Sequence, residues 1–212
     1  MNKQGNISMP VIRRLPKYYR TLSELLQNNI TRISSKELSI RLGLTASQIR
    51  QDLSCFGGFG QQGYGYKVSQ LKQEIGNILG MNLKYKTILL GAGNLGKAVA
   101  MYMLSKDRSL SICGIFDKDP DIVGQNIGNI TISNIDELEN FCNINKPEVA
   151  IICVPKINAA STFDKLYALG IKNYWNFSNY DFNVIHDDII VENTHISDSF
   201  MTLCYLISNQ KD

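Results

Sequence analysis

Nowhere in the 212 residues does an apolar run approach the roughly 18 uninterrupted residues of a membrane-spanning helix, so no membrane partner is expected. The opening Met1-Asn2-Lys3-Gln4-Gly5-Asn6 lacks the hydrophobic stretch of a secretory signal, which predicts a cytoplasmic protein. Histidine is scarce, with His186 and His195 the two present, and the five cysteines, Cys55, Cys113, Cys142, Cys153 and Cys204, form no Cys-x-x-Cys pair. With so few ligating side chains at such spacings no metal is expected, and the cysteines are expected to be small buried thiols, with thiol redox sensing a lesser alternative.

The near-neutral total conceals an uneven distribution of charge. Residues 1–85 hold twelve Lys and Arg against four Asp and Glu, a net +8; the remainder holds ten against fifteen, a net −5, which together give the +3 of the whole chain. A surplus of cations on a small module attracts phosphate, so nucleic acid is the first partner to consider. The length suffices for two small domains with a core each.

In the basic part, Leu15, Tyr18, Tyr19, Leu22, Leu25 and Leu26 recur at three- and four-residue spacing and predict an amphipathic helix over 11–26, with Pro16 in its first turn. Ser34-Ser35-Lys36-Glu37 and Thr45-Ala46-Ser47-Gln48 both fit a capping box, so two short helices follow, the first ending at Gly43. That is the helix-turn-helix layout. In the second helix Ile49 and Leu53 can face inward, which leaves Ser47, Gln48, Arg50 and Gln51 at the end that a recognition helix presents to base edges. Arg suits guanine and Gln suits adenine. Residues 56–66 alternate glycine with aromatics and amides, a composition that cannot build a core but suits a hairpin wing lying along DNA. A further helix is predicted over 68–79. The plainer alternative is a helical interaction domain with a flexible loop.

In the acidic part, the apolar run 86–90 leads into Gly91-Ala92-Gly93-Asn94-Leu95-Gly96 and then into residues of helical spacing. Strand, glycine loop and helix form the phosphate cradle of a dinucleotide fold. The next apolar run, 110–116, ends in Asp117, where an acid bonds the ribose hydroxyls of adenosine and favours NAD(H) over its 2′-phosphorylated form. Runs at 149–154, 173–177 and 189–191 read as strands, 159–169 as a helix, and Val154 and Pro155 as walls of a nicotinamide pocket. A last helix over 197–208 either caps its own domain or crosses to a second subunit.

The ordered set Arg14-Leu15-Pro16-Lys17-Tyr18-Tyr19-Arg20, Gln48-Ile49-Arg50-Gln51-Asp52-Leu53-Ser54, Gly63-Tyr64-Gly65-Tyr66, Gly91 to Gly96 and Phe116-Asp117-Lys118-Asp119-Pro120 resembles the redox-sensing transcriptional repressor family Rex over nearly the whole chain. The resemblance implies an α/β protein: a winged helix-turn-helix domain over 1–84, a Rossmann-type doubly wound parallel sheet over 85–192 and a C-terminal helix over 193–212 exchanged between subunits. It also implies a non-enzymatic homodimer that binds an inverted-repeat operator in double-stranded DNA, with NADH and NAD+ as effectors, and is released by NADH. The residues carried over are Arg14, Ser35, Ser47, Gln48, Arg50, Gln51, Gly63, Tyr64, Gly65, Tyr66 and Lys67 for DNA. For the cofactor they are Gly91, Ala92, Gly93, Asn94, Leu95, Gly96, Asp117, Tyr102, Val154 and Pro155, and for an interdomain switch Arg20, His195 and Ile196.

This chain departs from the family pattern at Gln51, Gln61 and Gln62, where cations are usual, and each lost phosphate contact lowers the salt slope by about 0.9. His195 stands where an acid would pair with the residue matching Arg20. Two other readings stay open: the same fold answering another nucleotide, such as a coenzyme A derivative, and a small NAD-dependent oxidoreductase. The second leaves no residues for a substrate domain.

Overall fold

Pro10 fits the first turn of helix α1 (Met9–Gln27), where its missing N–H has no intrahelical partner to lose. The helix starts earlier than its periodicity suggests, so Pro16 stands inside it, on the exposed side, at the loss of one backbone hydrogen bond. The computed structural model describes residues 7–57, 64–105, 109–182 and 186–210, and the chain divides into two compact units, Met1–Leu83 and Lys84–Asp212.

In the first unit α1 buries Val11, Leu15, Tyr18, Leu22 and Leu25, a stripe at alternating spacings of four and three. After strand β1 (Arg32–Ile33), helix α2 (Ser35–Leu42) begins with a complete capping box between Ser34 and Glu37 and ends at Gly43, whose φ of 64° is left-handed. Leu44 packs against the core in the turn, and helix α3 (Ala46–Ser54) buries Ile49 and Leu53. Strand β2 (Tyr66–Lys67) pairs antiparallel with β1 at the base of the wing, and helix α4 (Val68–Ile78) closes the core with Val68, Leu71 and Ile75. The wing residues 58–63, Gly63, Gln61 and Gln62 among them, lie outside the described residues.

What fixes α3 against α1 is a carboxylate. Asp52 is wholly buried, and Arg14 sets Nε on its Oδ2 and Nη2 on its Oδ1, both at 2.7 Å. Tyr18 donates its hydroxyl to Oδ2 at 2.8 Å and Gln48 its Nε2 to Oδ1 at 2.8 Å. Four donors meet the roughly four acceptor positions of a carboxylate. Burial by itself would raise the Asp52 pKa, but the hydrogen bonds from Arg14, Tyr18 and Gln48 outweigh it and hold the group below the usual carboxylate value. The expected second capping box is therefore only half made. Thr45 accepts from the Gln48 N–H at 3.1 Å, but the Gln48 side chain turns to the charged acceptor.

In the second unit strands β3 (Tyr85–Leu90), β4 (Leu110–Asp117), β6 (Ile130–Asn134), β7 (Val149–Ile152), β8 (Asn173–Asn176) and β9 (Ile190–Asn193) run parallel, with β5 (Asn126–Ile127) antiparallel at the edge. The order β5-β6-β4-β3-β7-β8-β9 is, for the parallel strands, the 3-2-1-4-5-6 arrangement of a Rossmann sheet. Helices α5 (Asn94–Leu104), α6 (Leu138–Asn145) and α7 (Lys156–Ala168) accompany it, and Ile88, Leu89, Leu90, Ala150, Ile151 and Ile152 are fully buried, as strands covered on both faces require. The sequence reading passes over β5, β6 and α6. β5 and β6 are only two and five residues long, and α6 carries three asparagines of poor helix propensity. The chain ends in helix α8 (Ile196–Ser208), none of whose residues is buried.

Asp52 keeps its charge in the folded chain to a lower pH than in the unfolded one, so its contribution is complete at neutral pH and is lost as pH falls through the folded value. Asp52→Asn is expected to cost about 3 kcal/mol at pH 7. Urea unfolding should show the gap from the wild type narrowing towards pH 3; a gap independent of pH would contradict this account.

Candidate functional site

On the first unit the N-terminal half of α3 carries the exposed cation that the sequence singles out. Arg50 donates Nη1 to the Ser35 hydroxyl and Nη2 to the Ser47 hydroxyl, each at 3.1 Å, so its fork is held in place by two helices. Gln51 is exposed beside it, and Lys67 and Tyr64 are exposed at the wing stem, where Arg32 donates to the Tyr64 carbonyl at 3.0 Å. Gly65 has a φ of 66°, and a Cβ there would come within 2.6 Å of the Ile33 carbonyl oxygen, so the wing leaves β2 through a position reserved for glycine.

Three expected DNA contacts are placed otherwise. Arg14 spends its fork on Asp52, because a buried carboxylate left unpaired costs more than a phosphate contact returns. Gln48 is tied to the same carboxylate. Tyr66 is buried in the core, and that burial raises its phenol pKa against the opposing effect of Arg50.

On the second unit the carboxyl ends of the strands open into a cleft of about 800 Å³ at the point where strand order reverses between β3 and β7. Gly91, Gly93, Asn94, Leu95, Asp117, Val154 and Pro155 line it as expected. Gly91 has a φ of 90°, and a Cβ there would meet the Cys153 backbone at 2.8 Å; a Cβ on Gly96 would stand 1.8 Å from the Gly91 carbonyl oxygen. These two glycines thus serve packing. Gly93 differs, since an added Cβ would meet nothing within 4 Å, which leaves open space at the N-cap of α5 beside its free N–H groups.

Asp117 accepts the Ala92 N–H on Oδ2 at 2.5 Å and the Asp119 N–H on Oδ1 at 3.0 Å, which aims the carboxylate into the cleft mouth with a lone pair left on each oxygen. Ala92 is buried, and neither it nor Gly96 nor Tyr102 is among the residues that line the cleft. Sequence reasoning missed Lys156, Asn158, Phe177, Ser178 and Asn179, which follow the carboxyl ends of β7 and β8. The general rule that ligands sit beyond strand ends would have found them. Cys153 also lines the cleft, and burial pushes its thiol up to about 12, so it is protonated and unreactive at neutral pH.

His195 precedes α8, with Nδ1 3.1 Å from Asn179 Oδ1 and Nε2 3.6 Å from Asp181 Oδ1. Ile196 begins the helix and is exposed; Arg20 is exposed on α1.

A family model described as "Putative DNA-binding protein N-terminus" matches residues 6–54, and one described as "CoA binding domain" matches residues 82–180. The redox-sensing transcriptional repressor Rex of Clostridium perfringens (strain SM101 / Type A) is 51% identical over 209 residues, covering 99% of this chain and 98% of that protein. The Rex of Caldanaerobacter subterraneus subsp. tengcongensis is 50% identical, covering 100% and 94%. The chain belongs to the Rex family. Among solved structures it is similar to RSP, a Rex-family repressor. RSP in complex with β-NADH matches with a TM-score of 0.89 at 45% identity, over 98% of this chain and 97% of that one. RSP with β-NAD+ and operator DNA matches with a TM-score of 0.87 at 48% identity, over 98% and 95%. The likeness to Rex proteins thus runs through both units.

The glycine geometry predicts a separation of effects. Gly96→Ala should lower the melting temperature by about 5 °C or more, since the added methyl overlaps backbone. Gly93→Ala should leave it unchanged while weakening a pyrophosphate-bearing ligand. Thermal unfolding of the two variants with and without ligand tests both.

Proposed function

We propose that this chain represses transcription as a homodimer on an inverted-repeat operator and leaves the DNA when NADH occupies its Rossmann cleft. The observation that carries the reading is the cleft itself: a glycine N-cap with open space above it, an aimed Asp117 at one end and apolar walls at the other, on a chain whose first unit is a basic winged helix. In this arrangement the first turn of α5 holds a pyrophosphate, Asp117 accepts the adenosine ribose hydroxyls, and Val154, Pro155 and Phe177 enclose the nicotinamide ring. The reduced ring is neutral, whereas burying the charged oxidised ring among apolar side chains costs free energy.

DNA recognition in this reading falls to Arg50, preset by Ser35 and Ser47 to meet a base edge, with Gln51 beside it and Tyr64, Gly65 and Lys67 at the wing stem. A second copy is the fitting cover for α8, whose Phe200, Met201, Leu203 and Leu206 are all more than half exposed, and for Leu95 and Met101 on α5. Exchange of α8 between subunits would bring Ile196 and His195 to the partner, where Arg20 is the residue to meet. A regulator rather than an enzyme is supported by the likeness to Rex repressors over nearly the whole chain. No described helix is long and apolar enough to cross a membrane.

Release requires that the ligand favour the DNA-incompetent arrangement, because equal affinity for both states shifts nothing. Adding NADH, NAD+, NADPH and coenzyme A separately to operator-bound protein at fixed salt should show release by NADH at the lowest concentration. Equal release by NADH and NAD+, or by neither, would overturn redox sensing; release by coenzyme A instead would reassign the effector. Arg50→Ala should weaken operator binding by about 1–3 kcal/mol and relax the preference at one base pair per half-site, as read from a panel of single-base operator variants.

A further inference from the structure

The two ends of the nucleotide cleft differ in charge. The end marked by Asp117 also presents Asp119 and Lys118, carboxylates beside a cation. The opposite end is walled by Cys153, Val154, Pro155, Phe177 and Asn179, and among the described residues lining it Lys156 alone carries a charge. Lys156 is the first residue of α7, a helix of 13 residues with Pro155 at its N-cap and no acidic residue in its first turn. The N–H groups of Lys156 and Ile157 that open the helix add partial positive charge at the same place. The lining carboxylates, Asp117 and Asp119, stand at the other end, and the Cys153 thiol is uncharged at neutral pH.

We propose that Lys156, reinforced by the N-terminus of α7, is a specificity-determining residue that disfavours the oxidised nicotinamide ring in this chain. The inference rests on the NAD(H) reading of the cleft. The oxidised and reduced dinucleotides share adenosine, both riboses and the pyrophosphate, so interactions with those parts cancel when the two affinities are compared. What differs is one positive charge on the ring. A fixed positive charge near the ring acts on that difference alone, adding to whatever penalty the apolar walls impose. Lys156 is exposed, so its effect is of surface scale, about two- to fivefold in affinity, and it is screened by salt.

A cation aimed at the pyrophosphate would strengthen both ligands together. A cation that acts on the ring changes their ratio, and the ratio is therefore the readout.

Dissociation constants for NADH and for NAD+ should be measured on the full-length chain, free of DNA, for the wild type and for Lys156→Gln, Lys156→Glu and Lys156→Arg, at low and at moderate salt. The NAD+ to NADH ratio of dissociation constants is expected to fall about two- to fivefold in Lys156→Gln and further in Lys156→Glu, and to stay at the wild-type value in Lys156→Arg. Raising the salt should lower the wild-type ratio while leaving that of Lys156→Gln nearly unmoved. An unchanged ratio in the Gln and Glu variants, or an equal loss of affinity for both nucleotides, would overturn the proposal and leave the NAD(H) reading standing. A wild type that binds neither nucleotide would overturn that reading as well.

Discussion

A carboxylate shut away from water organises the DNA-facing unit. Asp52 sits on the helix that carries Arg50, and its four hydrogen bonds run to α1 through Arg14 and Tyr18 and along its own helix to Gln48. A buried charge is tolerable only when so fully paired, and the pairing is directional, so it sets where α3 lies against α1 in a way that apolar packing of Ile49 and Leu53 would not. This constraint decides which side chains remain for DNA. Arg14 and Gln48, both polar and both near the expected interface, are consumed in holding the helix, while Arg50 is left outward and steadied by two serine hydroxyls.

A second carboxylate has the corresponding place in the nucleotide unit. Asp117 ends β4 and accepts the N–H of Ala92 in the loop after β3, so the glycine loop and the acid at the cleft mouth are parts of one hydrogen-bonded unit. Gly91 and Gly96 bring that loop against Cys153 and against itself at distances that exclude any side chain. The space above Gly93 follows from this close packing beneath it. The three glycines of the loop thus divide into two that shape the protein and one that leaves open space at the helix start.

Much of this was legible in the linear chain because the signals are local. Capping residues, a three-four apolar stripe and a strand followed by a glycine loop each depend on a few adjacent residues, and they located α1 to α5, β3, β4, β7 and β8 closely. What was hidden depends on residues far apart in sequence. Nothing near Arg14 reveals that Asp52, 38 positions on, will claim it. Tyr66 looks like part of an exposed wing until β2 turns it into the core. The cleft wall at Lys156 and at 177–179 comes from strand ends that only the sheet order brings together. β6 and α6 escaped for a different reason: both are short, and the three asparagines of α6 favour no helix of their own.

The same sheet order bears on how the cleft can act beyond itself. Asn176, at the end of β8, is buried and donates to the Asn193 side chain at 2.7 Å and to the Tyr180 carbonyl at 2.6 Å, while its oxygen accepts the N–H and hydroxyl of Ser178. Trp175 donates to Thr194 at 3.0 Å, and His195 meets Asn179. The segment 193–195 that leads into α8 is therefore bonded to the end of β8 through Trp175 and Asn176, and to the cleft wall directly through Asn179. An occupant pressing on Asn179, or on Ser178 and through it on Asn176, strains the root of that helix. An apolar helix with no buried residue in its own unit takes its position from what holds its root and what covers its face. With the root bonded to the cleft wall through Asn179, a change at that wall has a short, contiguous route to an exposed apolar helix. His195 gives this route a different character from an acid at the same position: its ring meets an amide and a carboxylate of its own unit, so the link from cleft to helix is made within the subunit before any partner is engaged.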